Sequence, residues 1–251
     1  MNTLFIGRRL IHLQTVDSTN NFAASLSLAE APEGTVVFAD DQTSGRGQQG
    51  KIWESEPHKN LTVTVVLRPI SLDIAELPLL SKAIAVAVCK TIQHFLPKEE
   101  IRLKWPNDLY CNKFKLAGVL TENNLRGSQI VSYLAGIGIN ANQLVFDQKA
   151  GNASSIAKIK GEEISITHLL DVLCENIEAM YLQVKSKQKV DAVYHKLLYK
   201  LGEMQEFRAK NEYFNAKILG VTDKGLLQIE KEDGSIGEYR NGEIQYLITN
   251  A

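Results

Sequence analysis

The sequence predicts an α+β fold in which a mixed β-sheet carries helices packed on one side and a small all-β unit follows. Residues 60–67 alternate apolar and polar side chains, as a strand does. Residues 76–95 place apolar side chains at three- and four-residue spacing, which is typical of an amphipathic helix packed on a sheet. From Glu206 onward short strands are separated by the turn pairs Asp233-Gly234 and Asn241-Gly242.

The other elements follow the same patterns in chain order. Strands are predicted at 10–14, 35–39, 101–105, 109–111, 116–120 and 129–140. Helices are predicted over 20–26, 167–184 and 189–201. The last unit contributes strands at 206–209, 214–220, 225–230, 236–239 and 244–248, and their spacing predicts a barrel. Because Gly202 ends the last helix, we expect two domains, 1–202 and 203–251.

The composition excludes several classes of function. The 251 residues carry 28 basic and 29 acidic side chains, so no global field attracts nucleic acid or an anionic membrane. Cys89, Cys111 and Cys174 are far apart in apolar segments, which indicates reduced, buried thiols. No run is long enough to span a membrane, and no cysteine or histidine spacing indicates a zinc site. We therefore expect a cytoplasmic protein.

A glycine-rich, basic loop runs from Gln42 to Trp53 after a predicted strand. Its glycines remove Cβ atoms that would keep the backbone away from a ligand, and Arg46 and Lys51 add positive charge. The loop matches the spacing of a P-loop and of a dinucleotide-binding motif. A P-loop requires Ser or Thr after its lysine, but Ile52 follows Lys51, and both motifs must begin a helix, which is not predicted here. A phosphate or carboxylate site and a plain hairpin loop both remain open at this point.

Other polar residues and glycines stand at strand ends. Ser18 and Thr19 either cap a helix or form a polar ligand site. Gly136 and Gly138 share one face of a strand, so they indicate either a flat groove or a bulge, and Gly118 indicates a close approach.

Three cations and one carboxylate point to phosphate chemistry. Arg46, Lys104 and Lys115 could neutralise phosphates, and Asp108 could help to hold magnesium. This combination suggests nucleotide chemistry without a P-loop.

At this point the sequence resembles the biotin protein ligases. The motifs that carry the resemblance occur in the family's order: Asp17-Ser18-Thr19-Asn20, Gly45-Arg46-Gly47-x-x-Gly50-x-x-Trp53, Lys104-Trp105-Pro106-Asn107-Asp108, Lys115-Leu116-Ala117-Gly118 and Gly136-Ile137-Gly138-Ile139-Asn140. The resemblance covers essentially the whole chain. It implies the mixed-sheet catalytic fold shared with class II synthetases and lipoate ligases, followed by a small SH3-like β-barrel.

The resemblance also implies a reaction. Biotin and ATP, with Mg²⁺, form biotinyl-5′-adenylate and pyrophosphate, and a lysine of a biotin carboxyl carrier protein then attacks the adenylate. The carrier belongs to acetyl-CoA carboxylase or a related carboxylase. Positive side chains and backbone N–H groups suit this chemistry because it requires the positioning and neutralisation of anions.

The resemblance implies a role for each residue that matches a position of the family's motifs. The resemblance implies that Lys115 and Arg46 contact the biotin carboxylate and α-phosphate as the catalytic cations. It implies that biotin is bound by Ser18, Thr19, Gln42, Gly45, Arg46, Lys115, Gly118, Gly136 and Gly138. It assigns ATP to Gly47, Gly50, Trp53 (on adenine), Lys104, Asn107, Asp108 (with Mg²⁺) and Asn140 (on ribose-phosphate). Lys104 could equally be a structural partner of Asp108.

The chain also departs from the family pattern. Gln48 stands where many members carry arginine, so we hypothesise weaker retention of the adenylate. The first motif begins at Asp17, so we expect a monofunctional ligase without the family's N-terminal DNA-binding module, and no membrane partner. A homodimer is possible. A lipoate protein ligase and a non-catalytic biotin-binding protein are the alternatives, and Arg46 with Lys115 argues against simple binding.

Overall fold

Seven strands form the main sheet of the computed structural model, which describes residues 1–147, 150–184, 187–210 and 212–247. The strands are β1 (Leu10–Val16), β2 (Thr35–Gln42), β3 (Leu61–Leu67), β4 (Ile101–Lys104), β5 (Asp108–Cys111), β6 (Phe114–Arg126) and β7 (Gln129–Ile139). Their order in space is β1-β2-β3-β7-β6-β5-β4. The β1–β2 pair is parallel and the other pairs are antiparallel, which confirms the predicted mixed sheet.

Within the described residues, five α-helices accompany this sheet: α1 (Thr19–Ser25), α2 (Leu77–Phe95), α3 (Ile156–Lys160), α4 (Ile166–Leu182) and α5 (Lys187–Leu197). The long helix α2 packs against α4 and α5 and forms the main core with the sheet. The short helix α3 was not predicted. It depends on local capping, because the Ser155 side chain accepts from the Lys158 N–H and Gly161 ends the helix in the left-handed region (φ 84°).

The central strand β3 is buried along its whole length because both faces of the sheet are covered. Its side chains Leu61, Val63, Val65 and Leu67 belong to the core beneath α2. The alternate side chain Val66 joins a second, smaller cluster with Ala23 of α1. Since successive side chains of a strand point to opposite faces, α1 lies on the face opposite α2. Beyond α1, that face is free to form a site.

A second sheet follows, built from β8 (Met204–Ala209), β9 (Glu212–Val221), β10 (Leu227–Lys231), β11 (Ile236–Tyr239) and β12 (Gln245–Tyr246). It is antiparallel in the order β11-β10-β9-β8-β12, which confirms a small C-terminal β unit. The expected closed barrel is wrong: within the described residues β11 and β12 are edges that do not pair. Strand spacing predicts how many strands form but not whether the first and last meet. The predicted strand 244–248 ends at Ile248, outside the described residues.

Buried polar contacts tie the helical layer to the second sheet. Lys82 of α2 is 5% exposed, and its Nζ lies 2.7 Å from Asp191 Oδ1 of α5 and donates to the Val221 carbonyl of β9 at 3.1 Å. Trp105 donates its indole N–H to the Gly225 carbonyl at 3.0 Å. The position of the small sheet is therefore fixed by specific partners.

The three cysteines are free and buried. Burial raises the pKa of Cys89 to about 12 and that of Cys111 to about 11, so neither thiol is a nucleophile at neutral pH. In the described part of the chain, every helix is too short or too polar to cross a membrane.

We predict that Asp191→Ala lowers the free energy of unfolding by about 3 kcal/mol, because it leaves the buried Lys82 ammonium without its carboxylate. The double variant Lys82→Met with Asp191→Leu should recover most of that loss. Asp223→Ala is the matched control, since it removes the partner of the exposed Lys187 and should change nothing measurable. Urea denaturation measures all three; equal losses for Asp191→Ala and Asp223→Ala would contradict the account.

Candidate active site

A cavity of about 600 Å³ lies on the face of the main sheet that carries α1, and the second sheet closes one side of it. Thirteen of the residues predicted for the site line it: Ser18, Thr19, Gln42, Arg46, Gly47, Trp53, Lys104, Asn107, Asp108, Lys115, Gly118, Gly136 and Gly138. Gly45, Gly50 and Asn140 are not among the described residues of its lining.

The floor of the cavity is a row of cross-strand partners. Thr62 of β3 pairs with Gly138 of β7, Gly138 with Gly118 of β6, Gly118 with Asp108 of β5, and Asp108 with Lys104 of β4. Partners in register share one face of a sheet, and adjacent strands lie about 4.8 Å apart, so the row extends over about 19 Å. The row places small residues at one end and charged residues at the other.

Hydrogen bonds organise the end of the cavity at the N-terminus of α1. Thr19 donates to Gln42 Oε1 from its backbone N–H (2.8 Å) and from its hydroxyl (3.1 Å). Thr64 of β3 donates its hydroxyl to Asn20 Oδ1 at 2.6 Å. Ser18 is the N-cap residue, but its side chain makes no capping hydrogen bond and is therefore free to bind a ligand. These buried groups can recognise a compact polar ring.

The glycines of the floor are required by the side chains above them. A Cβ on Gly138 would lie 2.3 Å from Trp53 Cε2, and one on Gly136 would lie 2.3 Å from Asn20 Oδ1. A Cβ on Gly118 would lie 3.2 Å from Trp53 Cζ3, a milder approach. The Trp53 indole thus rests directly on the glycine floor, and its buried Nε1 has no hydrogen-bond partner.

Arg46 is held by a carboxylate that the sequence did not indicate. Its guanidinium lies 2.7 Å from Glu122 Oε1 and donates to Asn21 Oδ1 at 2.6 Å. Asn20 Nδ2 donates to the other oxygen of Glu122 at 2.8 Å. Glu122 therefore joins the glycine-rich loop to α1 and β6. No motif marks it; only the sheet register places it next to the loop.

Lys115 and Asp108 form an ion pair in the middle of the row. Lys115 Nζ lies 2.6 Å from Asp108 Oδ1 and 5.6 Å from the centre of the Trp53 ring. Among the described residues no group of three or more acidic, histidine or cysteine side chains could hold a metal ion. Asp108 therefore fits a single carboxylate ligand to a cation that arrives with a phosphate substrate and keeps most of its water.

Lys104 occupies the far end of the row. Its ammonium lies 5.2 Å from the Tyr110 ring centre and 5.0 Å from that of Tyr246. Burial lowers the pKa of Lys104 to about 8, and the nearby Asp108 carboxylate opposes that effect. Lys104 is thus a partly desolvated cation next to the cavity.

The second sheet contributes residues that motif reasoning missed, because strand spacing gave no sign of where that sheet would dock. Asn241 donates to Gln48 Oε1 at 2.5 Å, so the position that departs from the family pattern contacts the small sheet. Others that line the cavity are Arg208, Gly242, Gln245 and Tyr246. The glycine-rich loop therefore contacts both sheets.

Two predicted nucleotide-binding residues make structural contacts instead of facing open space. Asn140 is buried, and its side-chain amide donates to the Ser154 carbonyl at 2.9 Å. Asn107 donates to the Val119 carbonyl at 2.5 Å, although it also lines the cavity. The ATP-binding role given to Asn140 remains a prediction, and its observed contacts hold the turn after β7.

We predict that Gly138→Ala displaces the Trp53 indole from the floor, because the new Cβ would lie 2.3 Å from Trp53 Cε2 and the ring must move away. Tryptophan emission should shift to longer wavelength as the indole becomes hydrated. Gly118→Ala, with its 3.2 Å approach, should shift emission less. The shift should vanish in a Trp53→Phe background, which leaves Trp105 as reporter; a shift that persists there would contradict the assignment.

Comparisons with known proteins agree with this geometry. Residues 12–140 match the model of the Biotin/lipoate A/B protein ligase family. The chain is 31% identical over 241 residues to the "Bifunctional ligase/repressor BirA" of Bacillus spizizenii, covering 93% of this chain and 73% of that protein. It is 36% identical over 130 residues to the "Biotin--[acetyl-CoA-carboxylase] ligase" of Paracoccus denitrificans, covering 51% of this chain and 52% of that protein.

Among solved structures, the fold is similar to the biotin protein ligase of Aquifex aeolicus in complex with biotin and ATP. The TM-score is 0.79 at 27% identity, with 96% of this chain and 100% of that chain covered. The family model matches more than half of the residues, and the BirA relative is similar over nearly the whole chain; these two matches establish the family. The chain belongs to the biotin/lipoate A/B protein ligase family.

Proposed function

We propose that this protein activates biotin with Mg-ATP as biotinyl-5′-adenylate and transfers biotin to a lysine of a biotin carboxyl carrier protein. The observation that carries the proposal is the row across the sheet. It leads from the hydrogen-bonding groups at the N-terminus of α1, over a glycine floor, to Lys115 and Lys104 in one cavity. The name of the Paracoccus relative and the Aquifex structure in complex with biotin and ATP support biotin as the acid.

In the proposed first step, an oxygen of the biotin carboxylate attacks the α-phosphorus of ATP and pyrophosphate leaves. Ser18, Thr19 and Gln42 hold the head group by hydrogen bonds, since their polar atoms converge at the N-terminus of α1. Lys115, which lies next to Gly118 and Asp108, is proposed to neutralise the reacting carboxylate and α-phosphate.

When no ligand is bound, each of the two proposed catalytic cations pairs with a carboxylate. Arg46 pairs with Glu122, and Lys115 pairs with Asp108. When a substrate anion binds, it takes the place of the carboxylate beside each cation. The cation is therefore never removed from water without an anionic partner. When Lys115 contacts the substrate instead of Asp108, the Asp108 carboxylate would be available to bind the magnesium ion that accompanies the phosphates.

In the second step the amine of the carrier lysine attacks the acyl carbon, and AMP leaves. Trp53, whose buried Nε1 lacks a partner, is proposed to pack on the nucleotide base and cover the intermediate from water. Gly45, Gly47 and Gly50 give the loop the backbone freedom to close; Gly50 already adopts a left-handed conformation (φ 73°).

We further propose that 1–202 and 203–251 are the catalytic and C-terminal domains. The change from the α/β layer to antiparallel strands falls between α5 and β8, at Gly202 (φ 77°). A carrier domain from acetyl-CoA carboxylase or a related carboxylase is the proposed acceptor. The absence of a DNA-binding module and of a membrane partner, the cytoplasmic location and the possible homodimer stay predictions.

We predict biotin-dependent exchange of pyrophosphate into ATP with magnesium, and none with lipoate. Lys115→Ala should lower the exchange rate by about a hundredfold or more, because a preorganised cation at a developing charge contributes on that order. Lys98→Ala is the control, since that lysine is exposed and far from the cavity lining.

Each other outcome has a definite meaning. Exchange that occurs with lipoate and not with biotin would show that lipoate is the acid that the protein activates. No exchange with either acid, together with full biotin affinity in Lys115→Ala, would support a non-catalytic binding protein. Biotinylation of a purified carrier domain, detected by mass spectrometry, tests the transfer step.

A further inference from the structure

Lys115 faces the cavity although the regular alternation of a strand would turn it away. Lys115 and Gly118 are three residues apart on β6, yet both line the cavity, and Lys115 Cε lies 3.7 Å from where a Cβ on Gly118 would stand. In a regular strand, residues three apart point to opposite faces of the sheet. Between them, Leu116 and Ala117 are both fully buried in the core beneath α2. Two neighbouring side chains on one face show that the alternation is interrupted here.

A β-bulge at Leu116 causes the interruption. Ala117 pairs with Leu109 of β5, but Lys115 pairs with the next residue, Tyr110, so Leu116 has no partner on that strand. One extra residue in a strand reverses the face that the following side chains take. The bulge therefore brings Lys115 to the face that carries the glycine floor. A regular strand would point the Lys115 side chain into the apolar core.

The other edge of β6 lacks a regular neighbour at the bulge. Ile139 is the last residue of β7, and it pairs with Ala117. Beyond that point the backbone of Lys115 donates to the Asn152 carbonyl at 2.9 Å and accepts from the Ser154 N–H at 3.0 Å. Residues 152–154 thus replace β7 as the neighbour of Lys115. This segment belongs to no named strand, so its own contacts must fix its position.

Asn140, the residue that follows β7, binds both the bulge and this segment. Its backbone N–H donates to the Leu116 carbonyl at 2.8 Å, and its side-chain amide donates to the Ser154 carbonyl at 2.9 Å. Asn140 is 3% exposed, so water cannot easily replace a lost hydrogen bond there. A buried carbonyl without a donor is unfavourable, so loss of the amide would favour a shift of residues 152–154.

We propose that Asn140 is a positioning residue that holds the β-bulge and residues 152–154 and thereby keeps the Lys115 ammonium directed into the cavity. This inference rests on the proposed function, in which Lys115 neutralises the reacting carboxylate and α-phosphate. It replaces the direct ATP contact that the resemblance implies for Asn140 by an effect that passes through Lys115. Asn140 is not among the described residues of the cavity lining, which supports an indirect role.

The test is Asn140→Ala, which leaves the Ser154 carbonyl without its donor while the backbone bond to Leu116 can remain. The kcat of biotin-dependent exchange of pyrophosphate into ATP should fall about tenfold or more, because a misplacement of about 1 Å can lower a rate by about a hundredfold. The second variant, Asn140→Ser, has a side chain too short to reach that carbonyl and should lower kcat as well. All rates are measured below the thermal midpoint of every variant.

Asn142→Ala is the matched control. Asn142 is also buried, and its side chain makes two hydrogen bonds of 2.9 Å with the backbone of Ile164, but neither involves Lys115 or residues 152–154. Because two bonds are lost, this variant should lower the thermal midpoint at least as much as Asn140→Ala. Its kcat should stay at the wild-type value, which separates the positioning of Lys115 from a general loss of stability.

A double-mutant cycle with Lys115→Ala tests the route of the effect. If Asn140 acts through Lys115, then Asn140→Ala should lower kcat no further in the Lys115→Ala background. An undiminished loss in that background would overturn the inference, because it would indicate that Asn140 contacts the substrate itself.

Two other results would also overturn it: a wild-type kcat in both Asn140 variants, or an equal loss of kcat in Asn142→Ala. Absence of exchange in the wild-type protein would instead contradict the proposed function, so the two failures are distinguishable.

Discussion

The site depends on the strand register of one face of the main sheet. Thr62, Gly138, Gly118, Asp108 and Lys104 come from five different strands, and only their pairing places them in one row. A shift of one residue in any pair would turn that strand's contribution toward the core beneath α2. The apolar residues that fill that core, Val63, Ile137, Val119, Leu109 and Leu103, therefore fix the site as well as the stability of the sheet.

The charges above the row differ in how they are partnered. The cations nearest the proposed reaction, Arg46 and Lys115, each form an ion pair with a carboxylate, whereas Lys104 lies against two aromatic rings and makes no ion pair with a carboxylate of the described residues. The small sheet supplies one of those rings, and Lys82 of α2, paired with Asp191, holds that sheet by donating to the Val221 carbonyl. Its docking on the helical layer thus links the fold to the electrostatics of the cavity.

Much of the fold and of the site could be predicted from the sequence, because the local patterns were strong. The alternation in β3, the amphipathic α2 and the turn pairs near the C-terminus predicted the mixed sheet and the small β unit, and most of the site residues predicted from the motifs line the cavity. What failed depends on non-local geometry. Barrel closure requires the first and last strands to meet, Glu122 is paired with Arg46 only by the fold, and Tyr246 belongs to a strand of two residues. Asn140, the end of a motif, holds a turn through Ser154.

The central claim is that one row across the sheet binds the whole acyl-adenylate. The most direct measurement is a crystal structure of the protein with a non-hydrolysable biotinyl-adenylate analogue. The account predicts the ureido ring at Ser18, Thr19 and Gln42, the phosphate at Lys115 with its bond to Asp108 broken, and Trp53 against the base. A ligand bound elsewhere, or an intact Lys115–Asp108 pair beside a bound ligand, would contradict it.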